Sequence, residues 1–93
     1  MDELLLSKIR LAIIGRLVTA QWASFSDLQR SIEATNGNLG AHIAKLVEAG
    51  YVKEEKRFAG RRPQSRYQLT RLGRAALLRH AEVLRTLADA AGS

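Results

Sequence analysis

Thr35-Asn36-Gly37-Asn38-Leu39-Gly40-Ala41-His42-Ile43-Ala44-Lys45-Leu46-Val47-Glu48-Ala49-Gly50-Tyr51-Val52 is the stretch on which the reading of the whole chain turns. Leu39, Ile43, Leu46 and Val47 recur at helical spacing and form one apolar stripe. The remaining surface carries Asn36, Asn38, Ala41, His42 and Lys45, all small or polar, so one side of the helix is built for a core and the other for a groove. Thr35 or Asn36 is placed to cap its start. Gly50 stands where a helix ends in a left-handed residue, and Tyr51-Val52 open an extended segment.

Upstream, Ser26 is a candidate N-cap for a short helix over about 27–33, with Gln29 three residues on to complete a capping box. Ala34-Thr35 then makes the tight turn between two helices. Downstream, residues 51–57 and 65–69 read as two strands around a loop at 58–64, with Val52, Tyr67 and Leu69 on the buried side. Gly60 and Pro63 hold Arg61 and Arg62 between them in that loop. A helix-turn-helix over about 26–49 followed by a basic hairpin over about 51–69 makes the fold class mainly α with one small β-hairpin, a winged helix-turn-helix.

Residues 10–73 resemble the single-domain winged-helix transcriptional regulators related to the MarR and ArsR groups. The matching pieces are Asp27-Leu28, Gly37-Asn38-Leu39 with His42, Leu46-Val47-Glu48-Ala49-Gly50-Tyr51-Val52, Gly60-Arg61-Arg62-Pro63, Tyr67-Gln68-Leu69-Thr70 and Gly73. The resemblance implies a homodimer in which two recognition helices read double-stranded DNA. Gly40 departs from the pattern, since relatives commonly carry a serine there. It removes a hydroxyl and costs about 1 kcal/mol of helix propensity relative to Ala.

The two ends of the chain agree with a dimer. A first helix is expected from Asp2 or Glu3 to about Thr19, with one stripe through Leu6, Ile9, Ile13 and Leu17 and a second through Leu4, Leu11, Ile14 and Val18. A last helix over about 71–90, capped by Thr70, carries Leu77, Ala81, Leu84 and Ala88, widened by Ala76, Val83 and Leu87. That is more apolar surface than a chain of 93 residues buries by itself, and Leu4, Leu11, Leu77, Leu84 and Leu87 are the expected dimer contacts. Trp22 and Phe25 anchor the connector after the first helix, with Trp22 read as a core plug.

Charge singles out the second half. Residues 1–50 balance five basic against five acidic groups, while residues 51–93 hold ten basic against four acidic and carry the whole net charge of +6. A basic cluster on a neutral body is the footprint of a polyanion partner. The expected DNA contacts are Thr35, Asn36, Asn38, Ala41, His42 and Lys45 on the recognition helix and Arg57, Arg61, Arg62 and Arg66 on the wing. Asn pairs bidentately with adenine, Ala suits a thymine methyl, and arginines follow phosphates or a narrow minor groove. His42 reads either as a DNA contact or as a helix-packing residue, and His80 as a surface residue.

The remaining function classes find little support. The chain has no cysteine, which removes disulfides and thiolate metal sites, and its two histidines lie on different elements with no third ligand at a recognisable spacing. No acid-base pair, Ser-His-Asp order or phosphate loop is evident, so neither an enzyme nor a cofactor is expected. No run of 18 or more apolar residues and no basic leader precedes the first helix, which leads to an expectation of one cytoplasmic domain over 1–93 without membrane contact or a separate sensor. The sequence is therefore read as a homodimeric, sequence-specific DNA-binding regulator, a repressor by preference, whose effector, if it has one, is unknown. The alternatives are a protein-interaction module and a nonspecific architectural DNA-binding protein.

Overall fold

A computed structural model describes residues 2–92. The order is a 3-10 turn Glu3–Leu6, α1 Lys8–Thr19, β1 Ala23–Ser24, α2 Phe25–Ser31, α3 Asn36–Glu48, β2 Val52–Ala59, β3 Arg62–Leu69 and α4 Arg71–Ala91. The three strands form one antiparallel sheet in the order β1-β3-β2. Leu5, Ile13, Ile14 and Leu17 meet Leu28, Ile32, Leu39, Ile43 and Leu46 in a single core that the sheet closes with Val52, Tyr67 and Leu69. Each Leu or Ile fully removed from water there contributes about 1.5–3 kcal/mol.

The expected first helix is broken. Ser7 is extended (φ −76°, ψ 128°), and its hydroxyl accepts from the Arg10 amide at 3.2 Å, so it caps α1 and cuts off the 3-10 turn before it. The turn is strapped down from two sides. Arg10 Nε donates to the Leu4 carbonyl at 2.7 Å, and Asp2 accepts from the Leu4 amide and from the Tyr51 hydroxyl. The break rotates Leu5 into the core and leaves Leu6 59% exposed.

The cap of α2 also differs from expectation. Ser24, not Ser26, is the N-cap, in a capping box where its hydroxyl accepts from the Asp27 amide and Asp27 accepts from the Ser24 amide, at 3.1 and 3.0 Å. Ser24 wins because β1 places it: Ala23 pairs with Tyr67 and Ser24 with Arg66, so the chain leaves the sheet at that residue and must turn there. The helix consequently starts two residues earlier than expected and ends at Ser31.

Gly50 adopts φ +81° after α3, as expected of a helix stop. The corner that follows locks onto α4: Thr70 caps α4 through the Gly73 amide while its hydroxyl donates to the Gly50 carbonyl at 2.6 Å, and its own amide donates to the Tyr51 carbonyl at 3.0 Å. Gly73 lies against that corner so closely that a Cβ would stand 2.2 Å from the Tyr51 oxygen.

α4 leaves the body. Gly73, Ala76 and His80 are its buried residues, and every residue from 81 to 92 is exposed. The molecule measures 57 × 26 × 21 Å, and its radius of gyration of 14.5 Å exceeds the roughly 12 Å of a compact chain of this length. His80 corrects the expectation of a surface histidine: it is 5% exposed, with its Nδ1 buried and without a hydrogen-bond partner among the described residues. It sits beside Asp2, Ala76, Arg79 and Val83.

Candidate nucleic-acid interface

The orientation of α3 follows from its stripe. Leu39, Ile43 and Leu46 are buried and Val47 is partly so, which turns Gly37, Asn38, Ala41, Ala44, Lys45 and Glu48 to solvent. Most of that outer face is small. A Cβ at Gly37 or Gly40 would meet nothing within 4 Å, so the helix offers a shallow surface on which Asn38 and Lys45 project, with Glu48 at its C-terminal end. A helix about 10–12 Å across with such a surface fits a major groove.

The expected contact residues are not equivalent. Thr35 is the N-cap, its hydroxyl accepting from the Asn38 amide at 3.2 Å. The side-chain oxygen of Asn36 accepts from Gln29 of α2, which ties the two helices together at the turn. The Asn38 side chain makes no hydrogen bond among the described residues, and Ala41 and Lys45 are exposed beside it. His42 is half-buried on the flank toward α1, with Nδ1 3.0 Å from Arg10 Nη1. Burial first, then Arg10 and Lys45, holds its pKa below the ordinary histidine value. Ala44 shares the exposed face and was not singled out from the sequence.

The hairpin differs from the expected loop. β2 and β3 run on until Ala59 pairs with Arg62, which leaves only Gly60 and Arg61 in the turn, with Gly60 at φ +66°. Pro63 therefore lies in a strand, opposite Phe58. β1 reaches only Arg66 and Tyr67, so the sheet at Pro63 has a free edge where a missing N–H is tolerated.

The register sorts the wing into two faces. Val52, Glu54, Lys56 and Phe58 lie with Leu69, Tyr67, Ser65 and Pro63, a face that is core at its base and ends at the tip in Phe58, 71% exposed. Near the body this face adjoins α3, and Glu54 and Tyr67 line a groove with Gly40, Ala44 and Glu48. The Tyr67 hydroxyl donates to Glu54 at 3.1 Å, and burial followed by that carboxylate raises the Tyr67 pKa. The opposite face carries Lys53, Arg57, Arg62 and Arg66.

Arg66 is committed within the fold. Its Nε and Nη2 donate to Glu55 at 2.9 and 2.7 Å, and its guanidinium stacks over Trp22 at 4.0 Å. Trp22 is thus a half-buried platform on the outer face and not the expected core plug. Arg57, Arg61 and Arg62 are exposed, with no ion pair among the described residues. Phe58, next to Arg57 in the chain, was missed because the loop expected at 58–64 took it out of the strand; the alternation that puts Val52 inside, continued to residue 58, places it at the outer end of the same face.

Of the expected dimer contacts, Leu84 and Leu87 are 46% and 54% exposed on the projecting half of α4, with Val83 and Leu78 nearby. Leu11 and Leu77 are partly buried against the core, and Leu4 packs beside Lys45 and Ala49 at the end of α3. Among the described residues no group of three metal-ligating side chains comes together, and no helix is long and apolar enough to cross a membrane.

Several known proteins are similar to this chain over three quarters of its length or more. An uncharacterised protein of Methanocaldococcus jannaschii is 31% identical over 70 residues, covering 75% of this chain and 76% of its own. The solved structure of a transcriptional regulator homologue from Pyrococcus horikoshii is 31% identical and superposes with a TM-score of 0.87 over 96% of this chain and 88% of that one. Bacillus subtilis PadR, solved in complex with operator DNA, shares the fold at 19% identity and a TM-score of 0.70, over 81% of this chain and 48% of its own. Regulators described as MarR and ArsR family members share it too, at TM-scores of 0.75 and 0.67. The family model described as a winged helix DNA-binding domain matches residues 9–88, and with the helix-turn-helix and basic wing in place the chain belongs to the winged helix DNA-binding domain family.

Proposed function

We propose that this protein is a cytoplasmic, homodimeric transcription regulator that binds double-stranded DNA at specific sequences, with α3 in the major groove and the wing on the minor groove or its phosphates. The observation that carries this reading is the pairing of two surfaces: the shallow, exposed face of α3 with Asn38, Ala41 and Lys45, and a hairpin whose Arg57, Arg61 and Arg62 are held out in solvent. Asn38 is the direct reader, Ala41 meets a thymine methyl, and His42 and Lys45 contact the flank of the groove. Thr35 and Asn36 bring backbone and cap groups to the phosphates. Arg66 supports the wing through Glu55 and Trp22 and reaches DNA only where that pair opens.

The dimer follows from α4. Residues 81–92 have no contact that buries them within one chain, and Leu84 and Leu87 face solvent. A second copy related by a two-fold axis covers them, with Leu4, Leu11 and Leu77 at the margin, and brings two α3 helices to half-sites about one helical turn apart. Occupation of such a site makes the protein a repressor wherever the site overlaps a promoter.

Selection of bound sequences from a random duplex pool tests the reading. An enriched, two-fold symmetric motif is expected. Recovery of duplexes without a motif favours an architectural DNA-binding protein, and no recovery at low salt favours a protein-interaction module.

A further inference from the structure

Arg10 of α1 and His42 of α3 meet with Nη1 3.0 Å from Nδ1. A guanidinium keeps its protons throughout the pH range of a folded protein and has no lone pair to offer, so it can only donate. The Nδ1 atom must then be the unprotonated nitrogen of a neutral ring, and the ring proton sits on Nε2. Arg10 is not free to follow the ring, because its Nε and Nη2 donate to the Leu4 and Glu3 carbonyls at 2.7 and 3.4 Å. The charged groups acting on the ring are Arg10 from α1 and Lys45 from α3, both cations, which oppose a second ring proton as burial does.

We propose that Arg10 is a positioning residue that holds His42 as its Nε2–H tautomer, so that α3 presents at this point a hydrogen-bond donor and no acceptor. The inference rests on the reading of α3 as the helix that enters the groove. A histidine free to exchange tautomers pairs with donors and acceptors alike and distinguishes little. With its polarity fixed, His42 selects an acceptor on DNA: a purine N7, guanine O6 or thymine O4, or a phosphate oxygen. It rejects the amino groups of adenine and cytosine, which offer only donors. The device also gives a role to the N-terminal turn, whose carbonyls hold the arginine that orients a recognition-helix side chain.

The test has one arm without DNA and one with it. Long-range proton–nitrogen correlation spectra of the 15N-labelled wild-type protein at neutral pH, with the His42→Gln spectrum for assignment, are expected to show the proton on Nε2. A proton predominantly on Nδ1 overturns the proposal. Arg10→Met is expected to give a mixture of tautomers, and Arg10→Lys, which keeps a donor, to restore the wild-type pattern. If Arg10→Met does not fold, the wild-type and Arg10→Lys spectra decide the point.

On the selected duplex, His42→Ala is expected to weaken binding on the order of tenfold, the worth of one lost hydrogen bond. Duplexes with 7-deazapurines or with methylphosphonate linkages at successive positions then separate a base acceptor from a phosphate: the wild type loses the same factor where its acceptor is removed, and His42→Ala loses nothing further. Unchanged affinity of His42→Ala overturns the donor role. Failure of the wild type to bind any duplex defeats the groove reading and the donor's DNA partner together, whereas the tautomer spectra still decide the part of Arg10.

Discussion

Gly73 packs so tightly against Tyr51 that an added Cβ would stand 2.2 Å from the Tyr51 carbonyl oxygen and 2.7 Å from Leu69 Cδ1. This contact fixes where α4 leaves the body, and with it the direction of the helix assigned to the dimer. The backbone oxygen cannot move aside without breaking its hydrogen bond from the Thr70 amide. Gly73→Ala is therefore expected to cost at least about 1–3 kcal/mol in denaturant unfolding. Gly40→Ala is the internal control of opposite sign: its Cβ meets nothing within 4 Å, so it is expected to stabilise α3 by up to about 1 kcal/mol. Equal effects from the two substitutions would remove the close approach from the account.

The dimer prediction concerns Leu84. Sedimentation of the wild type at micromolar concentration is expected to give a dimer, and Leu84→Glu a monomer whose circular dichroism stays close to wild type, because residues 81–92 add nothing to the core of one chain. A wild-type protein that stays monomeric would leave the exposed leucines without the assigned partner.

Acid should weaken the fold through His42. Burial and the nearby cations of Arg10 and Lys45 lower its folded pKa below the ordinary value of 6.5, so as pH falls the unfolded chain takes up the proton first. Stability is full above about 6.5 and declines from there down through the lowered folded pKa. Asp27, whose pKa the Ser24 amide and hydroxyl and then Arg30 lower from 3.8, removes a second increment in a separate, more acidic window. Melting temperature against pH is expected to lose its first decline in His42→Gln and keep the second. A profile for His42→Gln that matches wild type would show that His42 does not carry the first decline.

Salt dependence isolates the wing. Counterion release predicts that a dimer making ~6–10 phosphate contacts loses on the order of 10³–10⁵ in DNA affinity between ~50 and ~200 mM salt. Arg61→Ala combined with Arg62→Ala is expected to flatten that slope and to weaken selected and random duplexes alike. Arg66→Ala should act differently, lowering stability through Glu55 and Trp22 as well as affinity. An unchanged slope in the double variant would place the wing away from DNA.

The parts of this architecture that were legible in the sequence rest on local chemistry. The α3 stripe, its cap at Thr35, one of the two residues expected there, the Gly50 stop and the Thr70 cap each depend on residues a few positions apart, and each appears where expected. What was not legible depends on pairing across the chain. Ser24 and Ser26 each stand three residues before a capping-box acceptor, and only the pairing of β1 with β3 chooses Ser24. Ser7 breaks the first helix because Arg10 holds the turn before it and Tyr51 holds Asp2, its cap, and Asp2 also stands beside the buried His80. Trp22 looks like a core residue until Arg66, far along the chain, is found stacked on it. In the candidate site, the exposure of Asn38, Arg57, Arg61 and Arg62 follows from position along the chain, whereas the engagement of Asn36 by Gln29, of His42 by Arg10 and of Arg66 by Glu55 and Trp22 required the fold.

The claim that α3 reads sequence is tested most directly by the ratio of affinities for the selected and a random duplex, measured for the wild type and Asn38→Ala. The Asn38 side chain is exposed and makes no hydrogen bond among the described residues, so its loss leaves the fold intact. If it pairs with an adenine edge, Asn38→Ala costs about 1–3 kcal/mol on the selected duplex and little on random DNA, and the ratio falls by that factor. An unchanged ratio, whether both affinities fall together or neither moves, would contradict sequence readout by this residue, and affinities that do not move at all would take α3 out of the groove.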